Sequence, residues 1–158
     1  MDGLRGMAIT PDGKTLYVAN VYKNNVLAID TDTGDVVATI AVGELPQTIA
    51  LTPDGKRAYV ANPWRLTVSV VDTATNAVET IPMGYGANGI ATTPDGERAY
   101  VANYPSRTVS VIDTATNAVE TISLGGLVSL GGLVRAVAAV PNQPPTAELR
   151  ADALEVFA

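Results

Sequence analysis

The sequence predicts an all-β fold, a β-propeller of four-stranded antiparallel blades. It supplies three complete blades plus one strand of a fourth, and so an open arc or partial propeller. Three observations predict this. The first is a repeat. Arg57-Ala58-Tyr59-Val60-Ala61-Asn62 returns as Arg98-Ala99-Tyr100-Val101-Ala102-Asn103 and, more loosely, as Thr15-Leu16-Tyr17-Val18-Ala19-Asn20. Each copy follows a Thr-Pro-Asp-Gly turn whose prolines, Pro11, Pro53 and Pro94, stand 42 and 41 residues apart. The second is that four short strand patterns fit inside each period, which is how propeller blades read in sequence. The third is composition. The chain is 47% hydrophobic but only 5% aromatic. Its apolar residues are mostly Val, Ile, Leu and Ala, with much Thr, and this mixture favours strands.

Taken in order, blade 1 spans residues 1–43. Its opening, Met1-Asp2-Gly3-Leu4-Arg5-Gly6, has no basic segment leading into an apolar one, so no signal peptide is read in this chain. Blade 2 spans 44–84. Its strands are expected at about Thr48 to Thr52, Arg57 to Asn62, Thr67 to Asp72 and Ala77 to Pro82. Thr52-Pro53-Asp54-Gly55 suits a tight hairpin, because Pro53 presets its own φ and Gly55 accepts a positive one. In Asp72-Thr73-Ala74-Thr75-Asn76 the Asp72 carboxylate is placed to accept backbone N–H groups about two residues on. Blade 3 spans 85–125 and repeats the text so closely that Asp113 to Ile122 matches Asp72 to Ile81 residue for residue.

Residues 126–141 are read as a duplicated Gly-rich loop and the first strand of blade 4. Ser123-Leu124-Gly125-Gly126-Leu127-Val128 is followed at once by the same six residues, Ser129 to Val134. Val137 to Asn142 then resembles Ile90 to Asp95. The bland alternative is a flexible loop with chance similarity. Residues 142–158 read as a Pro-rich linker and the truncated start of a following module, since Pro144-Pro145 cannot sit inside a sheet.

Composition also excludes. Net charge is −6, which argues against nucleic acid or an anionic membrane as a charge-driven partner. The chain has no Cys and no His. That removes disulfides, thiolate and imidazole metal ligands, cysteine nucleophiles and the usual triad base. No apolar run approaches the ~20 residues that span a bilayer. No catalytic set, metal site or cofactor is assigned.

Thr-Pro-Asp-Gly, Tyr-Val-Ala-Asn and Thr-Val-Ser-Val-(Val/Ile)-Asp-Thr-Ala-Thr-Asn together resemble the YVTN-type β-propeller repeat family over about residues 3 to 125. Ala19, Ala61 and Ala102 stand where the family name has Thr. The resemblance implies a surface-layer, secreted or periplasmic protein of bacteria or archaea that binds partners or scaffolds. It implies an extracellular, cell-surface or periplasmic location. Pro144 to Ala147 also resembles the start of the Ig-like modules that follow such propellers. Propellers close with about four to eight blades. The chain is therefore read as a fragment or diverged gene. The alternative is a homodimer that closes a ring of six blades.

The loops divide into two sets. The A–B and C–D turns are repetitive and read as structural. The D–A and B–C loops differ between copies, and binding residues concentrate on such loops. The B–C loops carry Tyr22 with Lys23, Trp64 with Arg65, and Tyr104 with Arg107. An aromatic beside a base suits stacking on a sugar, a base or an aromatic ligand, or holding a carboxylate; the same residues also suit an ordinary amphipathic rim. Arg5, Gln47, Asn88 and Arg135 lie six residues before successive turn prolines and are expected to ring the channel mouth, as a ligand-polarising set or as solvated mouth residues. Asp30-Thr31-Asp32-Thr33-Gly34-Asp35 lacks the closing bidentate Glu of a calcium loop and reads as an acidic turn. Tyr17, Tyr59 and Tyr100 are expected to pack between blades.

The expected function is a non-enzymatic binding or cell-surface scaffold module, with a protein or a carbohydrate as the partner class. The alternative is a fragment of a lactonase-like or lyase-like propeller enzyme with a metal-dependent site at the channel mouth. Glu44 is the only acid in the D–A loops of the complete blades. Binding of nucleic acid through Lys23, Arg65 and Arg107 is opposed by the net charge.

Overall fold

Strand follows strand by short hairpins through each repeat, so each repeat forms its own antiparallel sheet. The computed structural model describes residues 3–124. The first sheet runs β1 (Leu4–Ile9), β2 (Thr15–Asn20), β3 (Asn25–Asp30) and β4 (Val36–Ala41). The second runs β5 (Thr48–Leu51), β6 (Arg57–Asn62), β7 (Thr67–Asp72) and β8 (Val78–Pro82). The third runs β9 (Gly86–Thr92), β10 (Arg98–Tyr104), β11 (Thr108–Asp113) and β12 (Val119–Ser123). In each sheet the strands pair in chain order. Arg135, the fourth-blade strand and the linker at 142–158 lie outside the described residues.

The turns explain why the hairpins form where they do. The Gly55 N–H donates to the Thr52 carbonyl at 2.8 Å, and the Thr52 N–H to the Arg57 carbonyl at 2.9 Å. Gly55 sits at φ 71°, a left-handed conformation that glycine adopts without strain. The Thr52 hydroxyl donates to the Asp54 carboxylate at 2.6 Å, and the Lys56 N–H donates to the same oxygen at 3.1 Å. On the other hairpin, Asp72 accepts the N–H groups of Ala74 and Thr75 at 3.1 and 2.8 Å. Asp30 and Asp113 do the same in their sheets. The two turn types are tied together, since the Thr73 hydroxyl donates to the Gly55 carbonyl at 2.7 Å.

Two cores lie between the sheets, not within them. One joins Tyr17, Ala28 and Ile40 of the first sheet to Ile49, Ala58, Val60 and Val71 of the second. The other joins Tyr59, Val70 and Ile81 of the second to Ile90, Val101 and Ile112 of the third. Strand alternation produces this. Tyr59 points into the core on one side of its sheet, while its neighbours Ala58 and Val60 point into the core on the other. The middle sheet is thus apolar on both faces, and Tyr17 and Tyr59 pack between blades as expected. Backbone and side-chain bonds stitch the inner strands: the Gly6 N–H to the Gln47 carbonyl at 2.7 Å, and the Thr48 hydroxyl to the Asn88 carbonyl at 2.6 Å.

The Asn that ends the Tyr-Val-Ala-Asn stretch is structural in the second and third sheets. Asn62 is fully buried and its Nδ2 donates to Ser69 Oγ at 2.9 Å and to Thr67 Oγ1 at 3.3 Å. Asn103 repeats this with Ser110 and Thr108. In the first sheet Asn25 and Leu27 stand opposite in place of Thr67 and Ser69, so Asn20 finds no such pair.

Candidate functional site

The A–B and C–D turns share one rim. A groove of about 520 Å³ opens there between the second and third sheets, lined by Asp54, Lys56, Arg57, Asp95 and Thr114 among others. Its polar groups are already engaged by turn chemistry. Asp54 holds Thr52, Asp95 holds Thr93, and the Arg57 guanidinium donates to the Thr114 carbonyl. The same bonds set the acidity of these carboxyls. The Thr52 hydroxyl and then the Lys56 N–H hold Asp54 below the ordinary aspartate value. The Thr75 hydroxyl and N–H do so for Asp72, and those of Thr116 for Asp113. A carboxyl stabilised as the anion is a poor proton donor or acceptor near neutral pH. This rim is built for folding.

The D–A and B–C loops share the opposite rim. The last residue of each B–C loop, Asn24, Leu66 or Arg107, is left-handed at φ 54°, 54° and 56°. Its carbonyl accepts from the following D–A loop: the Val42 N–H at 3.0 Å, Met83 at 2.8 Å and Leu124 at 3.2 Å. These bonds lock a variable loop from one end of the sheet against the next. Leu66 and Arg107 adopt a conformation that costs ordinary residues about 1–2 kcal/mol.

This rim holds the exposed aromatics. Tyr22 is 61% exposed, Trp64 72% and Tyr104 39%. Tyr22 and Lys23 lie in a single 3₁₀ turn, Val21–Lys23. Arg65 is paired with Glu44 of the preceding D–A loop, so its charge is already answered. Arg107 is exposed. One placement corrects the sequence reading: Tyr104 is the last residue of β10, not a loop residue. It pairs with Gly86, where an added Cβ would lie 2.6 Å from the Tyr104 carbonyl oxygen, so the strand extends because glycine faces it.

Sequence reasoning also missed Tyr85, exposed at 45%. It precedes Gly86, whose position lies against the backbone carbonyls of both Tyr104 and Pro63. Tyr85, Trp64 and Tyr104 therefore rise from three backbone segments that meet at one point. The signal was present: Tyr85 is the only aromatic in a D–A loop of the complete blades, flanked by Gly84 and Gly86.

Of the channel-mouth set, Arg5 lies in β1 and is exposed, Gln47 immediately precedes β5, and Asn88 lies in β9. The carbonyls of Gln47 and Asn88 each accept from the preceding sheet, so these positions form a row along the inner strands. Among the described residues no group of three acids gathers to hold a metal.

No family model matches the chain, and no curated protein matches it. Solved structures do. The chain is 34% identical to hydrazine synthase of Kuenenia stuttgartiensis, with a TM-score of 0.74 over 78% of this chain and 36% of that one. It matches the β-propeller domain of Cps50 (Swd1) from Myceliophteria thermophila at 12% identity and a TM-score of 0.67, over 78% of this chain and 44% of that one. It matches virginiamycin B lyase from Staphylococcus aureus at 14% identity and 0.67, over 77% and 41%. The chain is a partial β-propeller. It spans roughly two fifths of the length of these structures. They include enzymes as well as the Cps50 propeller domain, so the shared fold leaves the activity open.

Proposed function

We propose that this partial propeller is a non-enzymatic binding module that presents its D–A and B–C rim to a carbohydrate or protein partner outside the cell. One observation carries the reading. The repeated rim spends its polar groups on its own turns, whereas the variable rim exposes Trp64 and Tyr85 beside Tyr104, where three backbone segments meet. Exposed aromatic faces with hydrogen-bonding neighbours suit sugar rings and peptide side chains. The YVTN-type resemblance supports the surface or secreted setting. Trp64 is the only tryptophan, so its emission reports directly on this rim. Titration with soluble oligosaccharides such as maltotriose and chitotriose, followed by that emission, tests the carbohydrate arm; retention of a surface-layer extract on the immobilised chain tests the protein arm. Trp64→Ala, read by calorimetry because the variant lacks the emitting residue, should abolish whichever interaction is found. An interaction that survives both Trp64→Ala and Tyr85→Ala removes this rim as the site.

The second reading is a propeller enzyme, favoured by the likeness to hydrazine synthase and virginiamycin B lyase. It would draw on a metal at the channel mouth held by carboxylates, and Glu44 is already engaged by Arg65. A rise in melting temperature on adding Ca²⁺ or Mg²⁺ would support it, and no shift would sink it.

A further inference from the structure

The net charge of −6 is unevenly placed. Among the described residues, the B–C and D–A loops carry Lys23, Arg65 and Arg107 against one acid, Glu44. The other carboxylates of the described residues lie in or beside the A–B and C–D turns of the opposite rim, apart from Glu79 and Glu120 in the outer strands β8 and β12. A six-residue strand such as β6 spans about 20 Å between the rims. The screening length at physiological salt is about 8 Å, so a ligand on the variable rim is largely shielded from the acidic one. Each B–C connection sets a ring beside a cation: Tyr22 with Lys23, Trp64 with Arg65, Tyr104 with Arg107, all exposed. Among the described residues neither Lys23 nor Arg107 stands in an ion pair, while Arg65 is paired with Glu44. Arg107 sits at φ 56°, where Asn or Gly would sit with less strain. Strain of this kind collects at positions that hold ligands.

We propose that this rim takes an acidic polysaccharide, a chain of sugar rings that carry carboxylates. The inference rests on the reading of the rim as a binding face and names its ligand class. An exposed aromatic ring stacks on the apolar face of a sugar, and an exposed ammonium or guanidinium pairs with a carboxylate. Packed sheets lie about 10 Å apart, so the ring-and-cation pair recurs at a regular interval along the arc. A polymer that repeats its own ring and charge meets successive pairs, and contacts that are weak singly add along one chain. The Glu44–Arg65 pair separates this ligand from other polyanions. It sets an acceptor and donors side by side in and against the Trp64 loop, which suits sugar hydroxyls. A sugar chain can turn hydroxyls to Glu44 and carboxylates to Lys23 and Arg107. A phosphate backbone, charged at every unit, meets repulsion at Glu44 and finds few cations for the multiple phosphate contacts that nucleic-acid binding draws on. An acidic peptide brings the charge without a ring at each repeat.

The test titrates oligogalacturonate into the whole chain, followed by Trp64 emission and by calorimetry. A chelator is present, so that no divalent ion bridges the probe to the acidic rim. Maltodextrin of the same length is the neutral control, and poly-glutamate and single-stranded oligothymidylate are the other polyanions. Oligogalacturonate should bind more tightly than all three. Its affinity should fall as salt rises from about 0.01 to 0.1 M, which shortens the screening length from about 30 to 10 Å. Lys23→Gln and Arg107→Asn should each weaken binding about two- to fivefold, and more in combination. Neither should lower the melting temperature, since both positions are exposed and Asn accepts the left-handed backbone at 107. Asp32→Asn, on the opposite rim, should leave the affinity unchanged. Equal binding of maltodextrin overturns the inference and leaves the rim reading standing; so does equal or tighter binding of poly-glutamate or oligothymidylate. No binding of oligogalacturonate at low salt overturns the inference, as does binding that both charge variants leave intact. Binding of any probe that survives both Trp64→Ala and Tyr85→Ala, read by calorimetry, removes the rim itself.

Discussion

Ile49 and Met7 share one register position in neighbouring blades but differ in burial, and substituting each with Ala separates the effect of sequence from the effect of packing. Ile49 is 6% exposed within the first inter-sheet core, among Tyr17, Ala28 and Val60. Removing three carbons there loses their transfer free energy and leaves a cavity; buried Ile→Ala changes cost about 2–5 kcal/mol, and we expect about 3. Met7 is 61% exposed, so most of its side chain is already in water, and Met7→Ala should cost under about 0.5 kcal/mol. At about 3–4 °C per kcal/mol for a chain of this size, the melting temperatures should fall by about 10 °C and under about 2 °C. The assay is thermal unfolding followed by circular dichroism. Equal losses from the two substitutions would refute the assignment of Ile49 to an inter-blade core.

Three further outcomes follow from the same structure. Asn62→Ala removes a fully buried donor to Ser69 and Thr67 and should cost about 1–3 kcal/mol, while Asn20→Ala, which breaks no such pair, should cost clearly less by urea denaturation. The turn aspartates Asp12, Asp30, Asp54, Asp72, Asp95 and Asp113 all have pKa values held below the ordinary aspartate value by the hydrogen bonds they accept. Their contribution is fully present above the unfolded value near 3.9 and is lost as pH falls through the lower folded values. Urea midpoints should therefore hold steady down to about pH 4 and then drop, and Asp72→Asn with Asp113→Asn should flatten that drop. Burial raises the Tyr59 phenol above 10, so its contribution is present below the unfolded value and lost on raising pH through the folded one, and Tyr59→Phe should reduce the loss of stability at alkaline pH.

The fold was legible because the same local solutions recur at a fixed period. Three copies of Thr-Pro-Asp-Gly place three hairpins, and the alternation around Tyr59 tells which side chains face each neighbouring sheet. Strand ends were legible to within a residue where a turn residue marks them, as at Asn62 and Asp72. They were less so where the limit is set across the sheet. Tyr104 continues β10 because Gly86 lies opposite, a contact from another strand that local text does not announce. The candidate rim was partly legible. Difference between copies points to Tyr22, Trp64 and Tyr104, whereas Tyr85 stands outside the B–C loops and joins them only through the backbone approach at Gly86. That the segments carrying Tyr85 and Trp64 come together depends on how the backbones of Pro63, Gly86 and Tyr104 approach in space. The pairing of Arg65 with Glu44 spans two loops and is likewise a product of the fold.

Consecutive repeats pack face to face, with Tyr17 and Tyr59 each entering the core shared with the following sheet. Nuclear Overhauser contacts among side chains of the second core test this packing most directly. Cross-peaks linking the Tyr59 ring and the Val70 methyls to the methyls of Ile90, Val101 and Ile112 are predicted, since all five share one buried cluster. Contacts confined within each repeat, with none crossing from the second sheet to the third, would contradict the account.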